Sequence, residues 1–377
     1  MARSPDGPMI SVTLRRDDQH GIVRLIKEYY RELKNRPPQR AANGGESMCR
    51  ASRILQIIAL CFPLLLISCG QAPHSNERYV FVAANVNIPY WQSAKAGFLD
   101  SSKALKGAKI DFVGPSTYAP NDELKAFQDA VASAPAGILV SPAQGDLFKD
   151  AINTAISAGI PVICVDSDAP GSHRVLFIGT DNYRAGYESG KTMATILYGH
   201  GGVVLVKIAG QNNQEERARG VRDAIKENPE MAIGAEVNDS GSPDVAGSEV
   251  ANMVRRGGHP AGIICLEATC GPGVASALDQ LGMAGRIPIV AMDADTKTLN
   301  LINQGMVSST VAQKPYTMGY FGLQFLDDLH HNRVHEFPDW RTAPVSPLPN
   351  IVDTGTMVIN AHNVQSYLTA IQQSQQQ

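Results

Sequence analysis

The sequence predicts an α/β protein of two doubly wound parallel-sheet domains joined by a multi-crossing hinge. Three observations carry this reading. From Tyr79 onward, short runs rich in Val and Ile alternate with longer helical patterns, which is the signature of β-α-β units. The alternation restarts near Val203. A last helix and a Pro-rich stretch then come too late to belong simply to either half, so the chain is expected to cross between domains more than once.

In the first half the apolar runs place strands at Tyr79–Ala84, Lys109–Val113, Gly137–Val140, Val162–Val165 and Leu176–Ile178. Helices are expected at Tyr90–Lys106, Asn121–Ser133 and Asp146–Ala158, the last stopped by Gly159 and Pro161. The second half reads as strand Val203–Val206, helix Glu215–Glu227, strand Ala232–Val237, helix Asp244–Arg255 and strand Gly262–Leu266. It continues with helix Gly271–Leu281, strand Ile287–Ala291, helix Thr296–Gln304 and strand Ser309–Ala312. A helix from Tyr316 to Leu329 and an irregular stretch through Pro349 follow, with hinge passes expected near Asp181, near Gln313–Pro315 and in the 340s. The implied organisation is a leader at 1–47, a signal at 48–68, a tether at 69–77, one lobe from 78–181 plus 314–343, and a second from 182–313 plus 344–377.

The leader carries its own address. Arg50 and Arg53 precede an apolar run from Ile54 to Ile67, too short to span a bilayer, which ends at Leu66-Ile67-Ser68-Cys69-Gly70. This is the layout of a lipoprotein export signal cleaved before Cys69, whose thiol would then carry lipid. Two acyl chains anchor stably because each buried methylene contributes roughly 0.8 kcal/mol. Because such a signal normally opens a chain, translation is expected to start at Met48. The mature part is then a lipid-anchored domain on the periplasmic side of a bacterial membrane.

Charge narrows the function. Of 33 Lys and Arg and 36 Asp and Glu, 11 and 6 fall in residues 1–68, leaving 22 against 30 and a net charge of −8 beyond the signal. Nucleic-acid binding needs clustered positive charge that this part lacks. Of six cysteines, Cys49, Cys61 and Cys69 lie in or at the end of the signal. Cys265 and Cys270 could pair or join a metal site, but the spacing favours simple burial, and no disulfide framework, metal or cofactor is expected.

Open α/β sheets bind ligands beyond the carboxyl ends of their strands. Those ends are polar here: Asn85 to Trp91, Ser141, Asp166-Ser167-Asp168 and Gly179 to Asn182 in the first half, with Gln211-Asn212-Asn213, Glu267, Asp293-Ala294-Asp295 and Gln313 in the second. Asp, Asn, Gln and Arg engage neighbouring hydroxyls in pairs, so the set suits a carbohydrate or polyol. Tyr90 and Trp91 either lie against the apolar face of a sugar ring or pack in the core. Asp166, Asp293 and Asp295 either contact ligand or cap the helices that follow. Arg217, within Glu215-Glu216-Arg217-Ala218-Arg219, reads by itself as part of a solvated helix face. Glu267 is as readily a hinge or salt-bridge residue.

With these residues in view, the chain resembles the type I periplasmic binding proteins of sugar transporters, the ribose-binding-protein-like group, over nearly all of residues 78–360. Asn87-Ile88-Pro89-Tyr90-Trp91 resembles that family's asparagine-proline-aromatic sugar motif, and Val165-Asp166 its strand-end aspartate. Arg217-Ala218-Arg219-Gly220 resembles the segment whose first arginine contacts the sugar, and Met292-Asp293 and Ala312-Gln313-Lys314-Pro315 its later aspartate and hinge glutamine. The resemblance implies a ligand set of Asn87, Tyr90, Trp91, Asp166, Arg217, Glu267, Asp293 and Gln313. Two departures stand out: Ser167 where ribose binders have an arginine, and Glu267 where they have an asparagine.

The implied function is capture of a monosaccharide by hinge closure and delivery, by a monomeric binder, to an ABC-type permease served by a separate ATPase. A binder that reports the sugar to a membrane receptor is the alternative. A lactose-repressor-like regulator would need a helix-turn-helix that residues 1–47 do not show. No Gly-x-Ser-x-Gly elbow, His-Glu-x-x-His pair or P-loop is present, so no enzyme is expected.

Overall fold

The computed structural model describes residues 74–374 and shows two six-stranded sheets, each flanked by helices. The first lobe is built from β1 (Arg78–Val82), α1 (Pro89–Ser102), β2 (Lys109–Val113), α2 (Pro120–Ala132), β3 (Gly137–Val140), α3 (Gly145–Ser157), β4 (Val162–Val165) and β5 (Leu176–Gly179). The chain then crosses into α4 (Asn182–Ile196), β6 (His200–Lys207), α5 (Asn212–Lys226), β7 (Glu230–Asn238), α6 (Pro243–Arg255), β8 (Gly262–Cys265), α7 (Cys270–Gln280), β9 (Ile289–Met292), α8 (Thr296–Asn303) and β10 (Ser309–Ala312). It returns for α9 (Pro315–His330) and β11 (Ile351–Asp353), then finishes with β12 (Met357–Asn360) and α10 (Val364–Ser374).

Strand order is β11-β5-β4-β3-β1-β2 in one sheet and β12-β10-β9-β8-β6-β7 in the other, so each lobe repeats the same winding. All pairings are parallel except β10 with β12. The central strands β3, β4, β8 and β9 are buried on both faces, which is why they read as continuous apolar runs.

The structure differs from the sequence reading in several places. Helix α4, strands β11 and β12 and helix α10 all lie where no element was drawn. The Pro-rich stretch ends in β11, which pairs with β5 of the first lobe, so the third crossing falls between Asp353 and Met357 rather than in the 340s, and 344–353 belongs with the first lobe. Cys265 and Cys270 form a disulfide, both buried, that brackets the loop carrying Glu267; the expected simple burial of two thiols does not hold. The leader, the signal and Cys69 lie outside the described residues. No helix among the described residues is long and apolar enough to cross a membrane.

One helix contact bears directly on the site. Helices α4 and α5 touch at Gly186 and Gly220: a Cβ at Gly186 would sit 1.9 Å from the carbonyl oxygen of Arg217, and one at Gly220 2.1 Å from that of Tyr183. Only glycines allow this approach, and it sets the depth at which Arg217 enters the cleft. Gly186→Ala therefore forces the helices apart; urea unfolding should show a loss of about 1–3 kcal/mol. An unchanged midpoint would show that the contact can relax.

Candidate functional site

The carboxyl ends of both sheets face one cleft, lined by Ile88, Tyr90, Trp91 and Asp166 from the first lobe, Ile208, Gln211, Asn213, Gln214, Arg217, Glu267, Ala268 and Asp293 from the second, and Gln313 at the crossing. About 60 Å³ of space remains between these walls, well below the roughly 300–1,000 Å³ of small-molecule sites, so the cleft as it stands is tight. The lobes touch across it, with Asn213 Nδ2 donating to Asp166 Oδ2 at 2.9 Å.

The two strand-end aspartates are structural counterparts. Asp166 follows β4 and Asp293 follows β9, at the same place in each sheet, and both have left-handed backbones with φ of 64° and 70°. Asp tolerates that conformation better than most residues, yet it is strained and points the carboxylate out of the strand line into the cleft. Each backbone N–H is still held by the neighbouring strand, Asp166 to the Ile178 carbonyl at 3.1 Å and Asp293 to that of Val311 at 2.9 Å. Neither caps the following helix. Asp295 does, accepting from the N–H groups of Lys297 and Thr298, and it stands outside the lining.

Arg217 joins the pieces. It is 2% exposed, although its sequence context reads as a solvated face. Its Nε donates to Asn182 Oδ1, Nη1 to the Leu266 carbonyl and Nη2 to Gln313 Oε1, all at 2.8 Å. Asp166 Oδ1 stands 3.8 Å from Nη2. Gln313 passes the network on, its Nε2 donating to Asp293 Oδ1 at 2.9 Å. On the first-lobe side the Tyr90 hydroxyl donates to Asp166 Oδ1 at 2.5 Å, and the Tyr90 and Trp91 rings meet edge to face. Both aromatics are buried and also line the cleft, so core packing and a place in the cleft wall coexist in this pair.

Glu267 accepts from the N–H and hydroxyl of Thr269, at 2.7 and 2.8 Å. Seven of the eight predicted site residues line the cleft. Asn87 does not: it is exposed, and its side chain donates to the Ser116 carbonyl at 3.1 Å, so the motif's asparagine braces a loop. Ser167 is fully buried and outside the lining. The eight-residue set did not include Ile88, Ile208, Gln211, Asn213, Gln214 or Ala268, although Ile88, Gln211 and Asn213 stand in strand-end runs that the sequence marks; Ile208, Gln214 and Ala268 carried no such mark. Gln211, Asn213 and Gln214 are each buried with a side-chain oxygen that has no partner among the described residues, leaving acceptors free for donors on a ligand.

Three carboxyl groups share this space with one guanidinium. Burial is the main influence on each and raises its pKa: Asp293 is pushed up to about 7, with Arg217 and Gln313 pulling it down and Asp166 and Asp295 adding to the rise. Asp166 is raised too, against the opposing effect of Arg217 and the hydrogen bonds it accepts. Glu267 is raised by burial and by Asp239 beside it.

Residues 79–332 match the periplasmic binding protein domain family, and the chain belongs to that family. It is similar to the D-allose-binding periplasmic protein of Escherichia coli, 25% identical over 67% of this chain and 84% of that protein. It is also similar to the ribose import binding protein RbsB of Bacillus subtilis, 23% identical over 66% and 80%. Among solved structures, a sugar ABC transporter sugar-binding protein from Bacillus halodurans shares 34% identity with a TM-score of 0.67, covering 78% of this chain and all of that one. The arabinose-binding protein AraP of Geobacillus stearothermophilus shares 31% with a TM-score of 0.64, over 77% and 99%.

The raised carboxyls make stability depend on pH. Unfolded, Asp293 loses its proton near 3.8; folded, it keeps it to about 7. Between those values the folded state binds more protons, so this group's contribution to stability is complete below about pH 4 and is lost as pH rises to about 7. Asp293→Asn should remove that contribution, flattening the difference in unfolding free energy between pH 5 and pH 7.5 by on the order of 1–3 kcal/mol. Parallel pH profiles for wild type and variant would show that Asp293 ionises freely.

Proposed function

We propose that this protein is a lipid-anchored solute-binding protein that captures a monosaccharide or related polyol between its lobes by hinge closure and delivers it to an ABC-type permease. The observation that carries the proposal is the convergence, across one cleft, of Asp166 and Tyr90 from one lobe with Asn213, Arg217 and Asp293 from the other. A ligand that bonds to both halves favours the closed form, because it gains contacts there that the open form cannot make. Carboxyl, guanidinium and amide groups together offer the paired donors and acceptors that adjacent hydroxyls require, and the edges of Tyr90 and Trp91 supply apolar wall. The sugar-binding relatives support the ligand class. The departure at Glu267, which lines the cleft, and the lack of an arginine at position 167, where the buried Ser167 does not reach the cleft, set the recognised hydroxyl pattern apart from ribose.

Delivery to a permease rests on the family, and the lipid anchor rests on the Leu66–Gly70 signature. A second output, in which the closed form docks on a membrane receptor, has one point in its favour: a structural neighbour at 29% identity and TM-score 0.68 was solved as the XylFII–LytSN complex.

A thermal-shift screen against pentoses, hexoses, deoxysugars and polyols tests the binding step. A true ligand at a hundredfold excess over its dissociation constant adds about 2.7 kcal/mol of stability. Asp166→Asn should weaken that ligand by about tenfold or more, since it removes the charge from hydrogen bonds worth about 1.5–3 kcal/mol each. A panel without any shift, or a variant that binds as tightly as wild type, would refute the assignment.

A further inference from the structure

At the edge of the first lobe farthest from the cleft, where the chain enters β1, four side chains converge that the binding reading leaves without a role. His74 and Glu77 come from the segment leading into β1; Asp327 and His331 lie one turn apart at the end of α9. One donor atom from each lies within 4.8 Å of all the others. The contacts among them are 2.7 Å from His74 Nδ1 to Glu77 Oε2, 3.8 Å from His74 Nδ1 to Asp327 Oδ1, 3.1 Å from His331 Nε2 to Glu77 Oε1 and 3.0 Å from His331 Nδ1 to Asp327 Oδ1, with Glu77 turning a different oxygen to each imidazole. These straddle the edge of about 3.3 Å that a tetrahedral site has when its metal–ligand bonds are about 2.0–2.1 Å.

The supporting groups suit a metal as well. His331 Nδ1 is 3.1 Å from the Asp327 carbonyl, one turn back in the helix. The same nitrogen lies 3.0 Å from Asp327 Oδ1 while Nε2 faces Glu77 Oε1 at 3.1 Å, so the ring spans the two carboxylates and a divalent cation on the Nε2 side would take the place of the contact with Glu77. A backbone carbonyl on the far nitrogen is also the usual partner that fixes a ligating imidazole. Arg333 holds the other oxygen of Asp327, and the Tyr79 hydroxyl donates to Asp327 Oδ1 at 3.2 Å, so that carboxylate is oriented from two sides. His74 and Asp327 are 5% and 4% exposed, so this is a built site rather than a cluster of surface acids. Two imidazoles with two carboxylates favour a borderline divalent ion over calcium or magnesium, which prefer oxygen alone.

We infer that His74, Glu77, Asp327 and His331 bind a zinc-type divalent cation that clasps the start of the first lobe to the end of α9. His74 lies five residues beyond Cys69, so the ion fastens the point at which the tether meets the folded lobe. The sequence reading, which expected no metal, had no means of joining residues some 250 positions apart.

Full-length protein equilibrated with Zn2+ and desalted should retain one zinc per chain by elemental analysis, and zinc should raise its melting temperature relative to a chelator. His331→Gln and, as a second variant, His74→Gln should each weaken zinc binding by about tenfold or more and abolish the thermal effect, while sugar binding in the cleft is unchanged. Wild type that holds no zinc overturns the inference. So does zinc that survives both substitutions, which would place it on other groups such as the leader cysteines. A melting temperature that responds to pH but not to zinc would show that a proton occupies the cation's place, and it also overturns the inference.

Discussion

A guanidinium that is 2% exposed has to be satisfied on every side, and the architecture around Arg217 follows from that requirement. Its partners come from the start of α4, the end of β8 and the crossing after β10, three pieces that adjoin only when the second lobe is fully assembled. Its fourth neighbour, Asp166, belongs to the other lobe. The same side chain therefore reports both that one lobe is folded and that the two lobes are together. The α4–α5 glycine contact serves this end, since it lets the backbone of Arg217 approach α4, which carries its partner Asn182, more closely than larger residues would allow.

Like charges gather where the two lobes meet, and the fold manages this by distributing them. Asp166 takes Tyr90 and Asn213; Asp293 takes Gln313; Glu267 takes Thr269. No two of these carboxyls rely on the same donor, and the guanidinium lies among them. The left-handed backbones at Asp166 and Asp293 belong to the same economy: each turns one carboxyl inward from the end of a buried strand without costing the strand its last ladder hydrogen bond.

The elements whose own residues announce them were legible in the sequence. Buried parallel strands such as Gly137–Val140 and Val162–Val165 are apolar on both faces, and their ends were therefore the places to look for ligand groups. Helix α4 was hard to read because its buried face, from Asn182, Ala185, Gly186, Ser189 and Gly190 to Met193 and Ala194, is mostly small residues with a single large apolar side chain, so its helical spacing is only faintly marked by hydrophobicity. Strands β11 and β12 are three and four residues long and partly exposed; they exist because β5 and β10 offer free edges, a tertiary cause with no local signal. Arg217 is the reverse case, a residue whose local context argued for solvent and whose burial depends on partners 35 to 96 positions away. Asn87 failed because a motif fixes spacing and not side-chain direction: Ile88 faces the cleft while its neighbour turns to Ser116.

Glu267 shows how the structure refines a chemical expectation. As a carboxylate it would only accept hydrogen bonds, whereas the asparagine of the ribose-binding group both donates and accepts. In the closed cleft, however, burial and the neighbouring Asp239 push it above the ordinary carboxylate range. A protonated Glu267 carries one O–H donor and one C=O acceptor, which is the hydrogen-bonding character of an amide on a longer arm. The Cys265–Cys270 disulfide brackets this residue, and the N–H and hydroxyl of Thr269 hold its head. Glu267 thus presents to the cleft the same kind of hydrogen-bonding head as an asparagine, on an arm one methylene longer.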